Sequence, residues 1–287
     1  MVDQPAVKHP DNQARVIMIN ENIQSVRYDD PAAKHNLKVR NTSQKIWYSV
    51  MWLAGLITLV VLLLVVGYVI VQGGKEINWE FLTTAPRGGL SGEGGISTTL
   101  GTTLYLVILT LLIATPLGVG AAIYLIEYAG EQGLTSPVMR TLISVANFAV
   151  ETLAGIPSII YGLFGYALFI STLHFGWSLL SASLAAACLV LPTIIRTTEE
   201  ALLTVPDDYR RGSLALGATK WQTLYQVVLP ASLPGIITGI ILSVGRVISE
   251  TAVFFVTLGG SHRLPTSIMD GGRTLALHLY YLAMDTN

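Results

Sequence analysis

The sequence predicts an all-α protein that crosses a membrane several times, and two properties of the chain support this prediction. Apolar residues make up 52% of the chain and charged residues 12%, whereas ordinary soluble domains carry about 25% charged residues. Several uncharged apolar stretches are each long enough to cross the roughly 30 Å hydrocarbon core of a bilayer as a helix. Composition therefore excludes a soluble globular protein. The net charge of -1 gives no reason to expect nucleic-acid binding.

The first membrane span is predicted from Ile46 to Val71, a run without a charged residue. It begins far from the N-terminus, and the Gln-Gly-Gly-Lys segment after it is no credible cleavage site. We therefore interpret it as an uncleaved anchor. Residues 1–45 are polar, mixed in charge and interrupted by prolines, so they predict a disordered or loosely helical tail.

Four further spans are predicted on the same grounds, at about Thr98–Ile126, Leu142–Ile170, Leu179–Val205 and Ala231–Leu258. The chain is thus divided into a tail (1–45), a transmembrane anchor (46–71), a loop (72–97) and a membrane core (98–287), and the core contains a polar insert over 206–223.

The distribution of basic residues predicts the orientation of the chain in the membrane. The charged residues shortly before the first span are all basic, whereas those after it include both basic and acidic residues. The residues before the span are Lys34, Lys38, Arg40 and Lys45, and those after it are Lys75, Glu76, Glu80, Arg87 and Glu93. By the positive-inside rule the N-terminus is cytoplasmic and loop 72–97 is extracytoplasmic. The same orientation places the insert, with its own basic residues, in the cytoplasm.

The insert predicts a helix, a glycine turn and a second helix. Pro206 suits the first helical position, where its missing N–H is not needed, and the two aspartates after it favour the positive end of the helix dipole. Gly217 is the residue able to leave that helix in a left-handed conformation. Thr219 with Gln222 predicts a capping box that starts the second helix, which we expect to end near Pro230.

Charged residues at membrane depth each need a partner or an aqueous cavity, and the predicted spans contain Glu151, Arg196, Arg246 and Glu250. Arg246 and Glu250 are spaced i to i+4 and can form an ion pair, which is either purely structural or part of an anion site. Arg196 and Arg246 together suit phosphate oxygens, which a guanidinium binds bidentately. Pairing of Arg196 with the glutamates three and four residues later is the alternative.

Glu151 lies one turn before the segment Gly155-Ile156-Pro157-Ser158. A break there can split the span into half-helices whose exposed N–H groups face an anion. The alternative is a packing kink in which Ser158 bonds locally.

Enzyme chemistry finds little support in the sequence. The segment from Gly212 to Gly217 begins like a phosphate-binding loop, but Ala218 stands where the required lysine belongs and no strand precedes it. The histidines are scattered without the spacing of metal ligands, and Cys188 is a single cysteine within an apolar span. We expect no enzymatic activity, no cofactor and no metal in this chain.

The insert resembles a known loop, through the spacing of Arg211-Gly212-Ser213, Gly217, Val227 and Leu229-Pro230. This pattern is similar to the EAA loop of ABC importer permeases, whose short coupling helix seats in a cleft of the ATPase. Residues from Gly95 to Tyr128, the LAGIPSIIYGLFG run and the VGRVISET run resemble the PstA-type permeases of the phosphate-specific transport (Pst) system. Arg211 departs from the pattern, because an acidic residue is commonest at that position.

The resemblance implies the transmembrane domain of a type I ABC importer, with five visible spans and a sixth expected after Leu275–Met284 but missing. It implies ATPase coupling by Asp208, Tyr209, Arg210, Arg211, Leu214, Gly217, Ala218 and Thr219. It implies a substrate path through Arg246, Glu250, Arg196, Glu151 and Ser158.

The function implied is ATP-driven import of inorganic phosphate across a bacterial inner membrane. Expected partners are a homologous second permease chain, an ATPase dimer that uses the ATP, an extracytoplasmic phosphate-binding protein and membrane lipid. A permease for sulfate or molybdate and an ion-coupled secondary transporter are the alternatives. The LAGIPSIIYGLFG run argues against the former, and the lack of an evident inverted repeat argues against the latter.

Overall fold

The computed structural model describes residues 31–86, 94–128 and 137–285, with side chains for 43–86, 94–128 and 138–284. Most of the predicted tail, the loop position Glu93 and the end of the chain therefore lie outside the described residues. The chain divides into two units, Met1–Glu76 and Ile77–Asn287.

The described part of the first unit is essentially one long helix, α1 (Pro31–Gly73), which contains the predicted anchor. The helix is already formed at Pro31, so the predicted end of the tail at residue 45 falls inside it. Its apolar side chains are exposed, Trp52 to 79% for example. An apolar helix of this length with an exposed surface suits contact with lipid.

The second unit is built around α3 (Ser97–Ile123) and α6 (Leu179–Leu203), with the short α2 (Trp79–Thr83) before them. α6 is the most buried helix of the membrane core, as expected of a span surrounded by others. Close approach of α3 requires Gly118, because a Cβ atom there would collide with the side chain of Ile194 on α6. Small residues at such contacts allow membrane helices to pack where the hydrophobic effect gives no help.

The predicted third span is broken at the expected place. α4 (Pro137–Ala154) and α5 (Ser158–Gly165) meet at 109°, and a π-helical turn over Tyr166–Thr172 continues α5. Pro157 has no N–H to donate and disfavours a helical conformation for the residue before it, which favours a break at this position. Counting this bent pair as one span, the described residues contain up to five spans, as predicted.

The last predicted span was misplaced at both ends. α8 (Lys220–Thr223), a π-helical turn (Leu224–Val228) and α9 (Leu229–Ser249) form one continuous segment, so no helix ends near Pro230. In the π-helical turn each N–H bonds to the carbonyl five residues earlier, as the Leu229 N–H does to the Leu224 carbonyl. Pro230 follows in the first turn of α9, where an N–H is not needed.

The predicted end at Leu258 was wrong because the chain leaves the helix at Glu250, whose ψ is 130°. Two further helices, α10 (Ala252–Thr257) and α11 (Leu275–Asp285), follow. The loop between them closes the start of α6, because the Leu179 N–H donates to the Asp270 carbonyl at 2.9 Å and the Leu180 N–H to the Ile268 carbonyl at 2.9 Å. Two of the N–H groups that every helix start leaves unpaired are thereby satisfied.

Candidate functional site: the polar insert and the charged residues of the spans

The insert has the predicted helix-glycine-helix structure. α7 (Asp207–Ala215) starts after Pro206, which is the N-cap residue and not the first helical residue that was predicted. Gly217 has a φ of +87°, the left-handed conformation that glycine adopts without strain. The capping box of Thr219 and Gln222 is formed in both directions. These three predictions rested on local chemistry, and the structure agrees with them.

Arg210 anchors α7 to two membrane helices. Its Nη2 and Nε atoms donate to Oε1 of Glu127 at 2.8 and 3.1 Å, in the π-helical turn Tyr124–Tyr128 that extends α3. Its Nη1 donates to the Val205 carbonyl at 2.7 Å and its Nη2 to the Leu202 carbonyl at 2.9 Å, at the end of α6. A cation is favourable there because the carbonyl end of a helix is negative. Glu127 was not predicted from the sequence as a functional residue, although an acid at the end of an apolar span was a signal.

The inner side of the insert packs on the membrane helices. Just after the insert, Leu224 and Val228 form a buried cluster with Leu202 and Val205. Ile123 of α3 and Ile126 of the π-helical turn that follows α3 are partly buried against this cluster. A hydrogen bond of 2.9 Å joins the hydroxyls of Ser213 and Thr223, which holds α7 to α8.

The outer side of the insert presents apolar and aromatic side chains to solvent. Leu216 is 91% exposed, and Tyr209, Leu214 and Trp221 are exposed as well. Among the residues predicted to couple to an ATPase, those exposed are Asp208, Tyr209, Arg211, Leu214, Gly217 and Thr219, while Arg210 and Ala218 are half-buried. A rigid turn with an exposed apolar face suits a docking surface.

Arg196 forms the ion pair with a nearby glutamate that was predicted as the alternative to anion binding. Its Nη1 pairs with Oε2 of Glu199 at 2.9 Å, and its Nη2 donates to the Asn147 carbonyl of α4 at 3.3 Å. The carboxylate is buried and the guanidinium is partly exposed. Arg196 therefore links α6 to α4, and part of its positive charge is neutralised.

The expected ion pair of Arg246 with Glu250 was wrong. The helix ends at Ser249, so the two residues do not share a helical face, and the Glu250 carboxylate accepts hydrogen bonds from the N–H groups of Ala252 at 3.0 Å and Val253 at 3.3 Å instead. Arg246 is exposed and makes no ion pair with any side chain that the structure describes.

The other two predicted path residues lie near the break. Glu151 is exposed in the last turn of α4, and Ser158 begins α5. Within the ranges that the structure covers, no hydrogen bond or ion pair joins Glu151 to Arg196 or to Arg246.

A cluster of side chains around Arg273, which was not predicted from the sequence, lies after α10. Arg273 is 6% exposed; its Nε donates to the Gly260 carbonyl at 3.2 Å, its Nη1 lies 3.3 Å from Nδ1 of His278, and its guanidinium lies 4.4 Å from the centre of the Tyr281 ring. The ring of His262 meets that of His278 edge to face at 6.2 Å. Burial lowers the pKa of His262, and the positive charge of Arg273 lowers it further. The signal in the sequence was the pair of histidines, which were treated as scattered.

Comparison with known proteins identifies the kind of protein to which the insert and the spans belong. The family described as "Binding-protein-dependent transport system inner membrane component" matches residues 138–284, about half of the chain, including the whole insert. The chain belongs to this family. The permease is thus a multi-pass component of an inner membrane and is not itself the ATPase of its transport system.

Its relatives are named permeases. The permease is 37% identical over 247 residues to "Phosphate transport system permease protein PstA" of Mycobacterium leprae, covering 85% of this chain and 77% of that protein. It is 33% identical over 242 residues to "Probable ABC transporter permease protein YqgI" of Bacillus subtilis, covering 79% of each. Among solved structures, the MetNI methionine ABC transporter in inward-facing conformations has 25% identity and a TM-score of 0.44, covering 66% of this chain and 85% of that one.

The family assignment confirms the predicted fold class, a helical transmembrane domain of an ABC importer. Membership in a binding-protein-dependent family also implies two kinds of partner, an ATPase and a substrate-binding protein.

Proposed function

We propose that the permease is a transmembrane component of an ATP-driven importer of inorganic phosphate. The observation that carries the proposal is the helix-glycine-helix insert with its exposed apolar face, which offers a separate ATPase a place to dock. The substrate is inferred from similarity to relatives named as phosphate transport permeases. The permease acts together with a homologous second permease chain, an ATPase dimer that binds and hydrolyses the ATP, and an extracytoplasmic phosphate-binding protein.

Docking is proposed on the exposed side of the insert. Tyr209, Leu214 and Leu216 provide apolar contact area, and Asp208 and Arg211 provide exposed charges at its edge. Gly217 keeps the turn between the helices tight. Arg210 holds α7 on the end of α6, and the Ser213–Thr223 hydrogen bond holds α7 to α8. A movement of the docked face is therefore passed on to the membrane helices.

The substrate path is proposed to include Arg246. Its guanidinium is exposed on α9, and within the described residues no carboxylate competes with an anion for it. A free fork of this kind binds phosphate oxygens by charge-assisted hydrogen bonds. Glu250 holds the start of α10 and places the end of α9, while Arg196, Glu151 and Ser158 are proposed as further path residues near the broken span.

Uptake of radiolabelled phosphate by proteoliposomes that contain the assembled transporter tests this function. We expect uptake that requires ATP inside and the binding protein outside, and that an excess of sulfate or molybdate does not suppress. Uptake without ATP would favour a secondary transporter, and suppression by another oxyanion would overturn the phosphate assignment.

The role of Arg246 is tested by Arg246→Gln, with Arg263→Gln as the matched control, since Arg263 is exposed in the loop after α10. We expect the first variant to lose phosphate uptake and the second to retain it, with equal amounts of assembled protein. Normal uptake by Arg246→Gln would remove this residue from the path.

A further inference from the structure

We propose that Glu127 is a positioning residue that, through Arg210, fixes the insert to the inner end of α3, so that this span moves whenever the docked insert moves. The inference rests on the proposed function and names a residue that the predicted coupling set does not contain. One guanidinium then joins three elements: α3 through Glu127, the end of α6 through two carbonyls, and α7, on which Arg210 itself lies.

The connection to α3 is needed because the chain does not supply one. The insert is covalently continuous with α6 on one side and with α9 on the other, whereas Glu127 and Arg210 are 83 residues apart in sequence. Ile123 at the end of α3 and Ile126 in the turn that follows it do pack on the cluster beneath the insert. Such apolar contacts are non-directional, so they fix the orientation of the two elements less closely than a directional ion pair does.

The Glu127–Arg210 pair is directional and shielded. Both side chains are only 18–19% exposed, and one carboxylate oxygen receives two donors of the planar fork. Exposed ion pairs contribute little because water and salt screen them. Asp207 makes such a pair with the same arginine, at 3.5 Å and with its side chain 74% exposed. The chain therefore contains its own matched control.

The local backbone supports a special role for Glu127. It lies in the π-helical turn Tyr124–Tyr128, where an extra residue per turn changes the direction of the side chains that follow the regular helix. Such turns are rare overall, and those that occur are often found at functional sites.

The surroundings of the ion pair are loosely packed. The Lys220 ammonium lies 5.8 Å from the centre of the Tyr128 ring, and a cavity of about 200 Å³ lies around the ion pair between this turn and the insert. The pair thus bridges a region that is not tightly packed.

The test compares Glu127→Gln, Arg210→Lys and the control Asp207→Asn in the complete transporter. Glutamine keeps the shape of Glu127 but loses its charge, and lysine keeps the charge of Arg210 but cannot form the fork. We expect the first two variants to assemble and hydrolyse ATP, while the phosphate transported per ATP falls about two- to thirty-fold, the range typical of lost coupling contacts. Asp207→Asn should keep the ratio of the unchanged protein. An unchanged ratio in Glu127→Gln, or failure of that variant to bind the ATPase, would overturn the proposal.

A second measurement does not depend on the substrate. Spin labels at Leu117 on α3 and Ala215 on α7, with Cys188 replaced, report the distance between the span and the insert with and without ATP. In the labelled protein that keeps Glu127, we expect a single narrow distance that is the same with and without ATP. With Glu127→Gln we expect this distance to be broadened or shifted. If phosphate uptake fails but these distances behave as expected, the proposed substrate is wrong and the positioning role stands. Equal distance distributions in both proteins would refute the positioning role.

Discussion

The arginines of this chain show that the surroundings of a guanidinium decide its role. Arg196 and Arg210 each pair with a glutamate and join helices, and Arg273 is buried against an aromatic ring. Arg246 is exposed and has no acidic partner among the described side chains. A paired arginine holds structure, whereas an unpaired one at membrane depth needs water or a ligand. This difference separates the anchoring arginines from the proposed anion-binding one.

At the same scale, His262 predicts a pH dependence of stability. Its pKa is lowered from 6.5 by burial and by Arg273, so the folded state favours the neutral ring. The stabilisation is therefore complete above pH 6.5 and is lost as the pH falls from there through the lowered pKa. Thermal unfolding in detergent between pH 8 and pH 5 should show a falling Tm, and a weaker fall in His262→Gln. Parallel curves for the two proteins would contradict this assignment.

Gly217 predicts a purely conformational effect. No heavy atom lies within 4 Å of the place where a Cβ would stand, so a side chain meets no clash there. The left-handed conformation nevertheless costs L-residues about 1–2 kcal/mol, and more for β-branched ones. Gly217→Val should impair co-purification of the ATPase and phosphate uptake, while Gly217→Asn should largely retain both, because asparagine tolerates positive φ. Normal behaviour of the valine variant would argue against a coupling role for this turn.

At the scale of elements, packing is controlled by where small residues let helices approach. α9 contacts α6 through Gly239, where a Cβ atom would collide with Thr197. Gly245, further along the same helix, has open space around it. A neighbouring helix therefore requires glycine at position 239, whereas no neighbouring atom requires it at position 245.

This contrast predicts opposite effects of the same substitution. Gly239→Ala should lower the free energy of unfolding by about 1–3 kcal/mol, because extra atoms in a close contact force the helices apart. Gly245→Ala should be neutral or stabilising, by at most about 1 kcal/mol, since alanine is the better helix former. Reversible unfolding in mixed detergent measures both. A destabilised Gly245→Ala with an unaffected Gly239→Ala would show that the α6–α9 contact is misassigned.

How far the sequence could predict an element depended on how local its causes were. The Gly217 turn and the Thr219 capping box follow from residues a few positions apart, and both were predicted. The Glu127–Arg210 contact joins residues far apart in sequence, so no local pattern indicated it. The Arg246–Glu250 prediction failed because it assumed that a helix continued, whereas Glu250 bonds to the N–H groups that follow it. Periodicity alone does not show where an apolar helix stops.

At the scale of the whole molecule, the described helices are long and apolar enough for a polytopic protein of the inner membrane, and the family assignment agrees with this. The orientation of the chain stays a prediction from its basic residues. The cytoplasmic position of the insert depends on it, because an ATPase can dock only from the side that contains ATP.

Cysteine labelling in intact cells tests the orientation, on a background in which Cys188 is replaced. A membrane-impermeant reagent should modify a cysteine introduced at Lys75, after the first span, and should leave one at Arg211 untouched until the cells are opened. Both positions are exposed in the structure, so accessibility within the protein does not differ between them. Labelling of Arg211→Cys from outside would reverse the orientation and exclude the docking surface.

The π-helical turn between α8 and α9 has a consequence for how the insert can move its span. A turn with one extra residue changes the rotational phase of everything after it by about 100° relative to a regular helix. The buried positions of α9, Ser232, Ile236, Gly239, Ser243 and Val247, face inward with that phase included. Tightening Leu224–Val228 to a regular helix would turn this whole stripe away from α6 in one step. The rotational position of α9 against α6 therefore depends on the hydrogen bonds of this single turn.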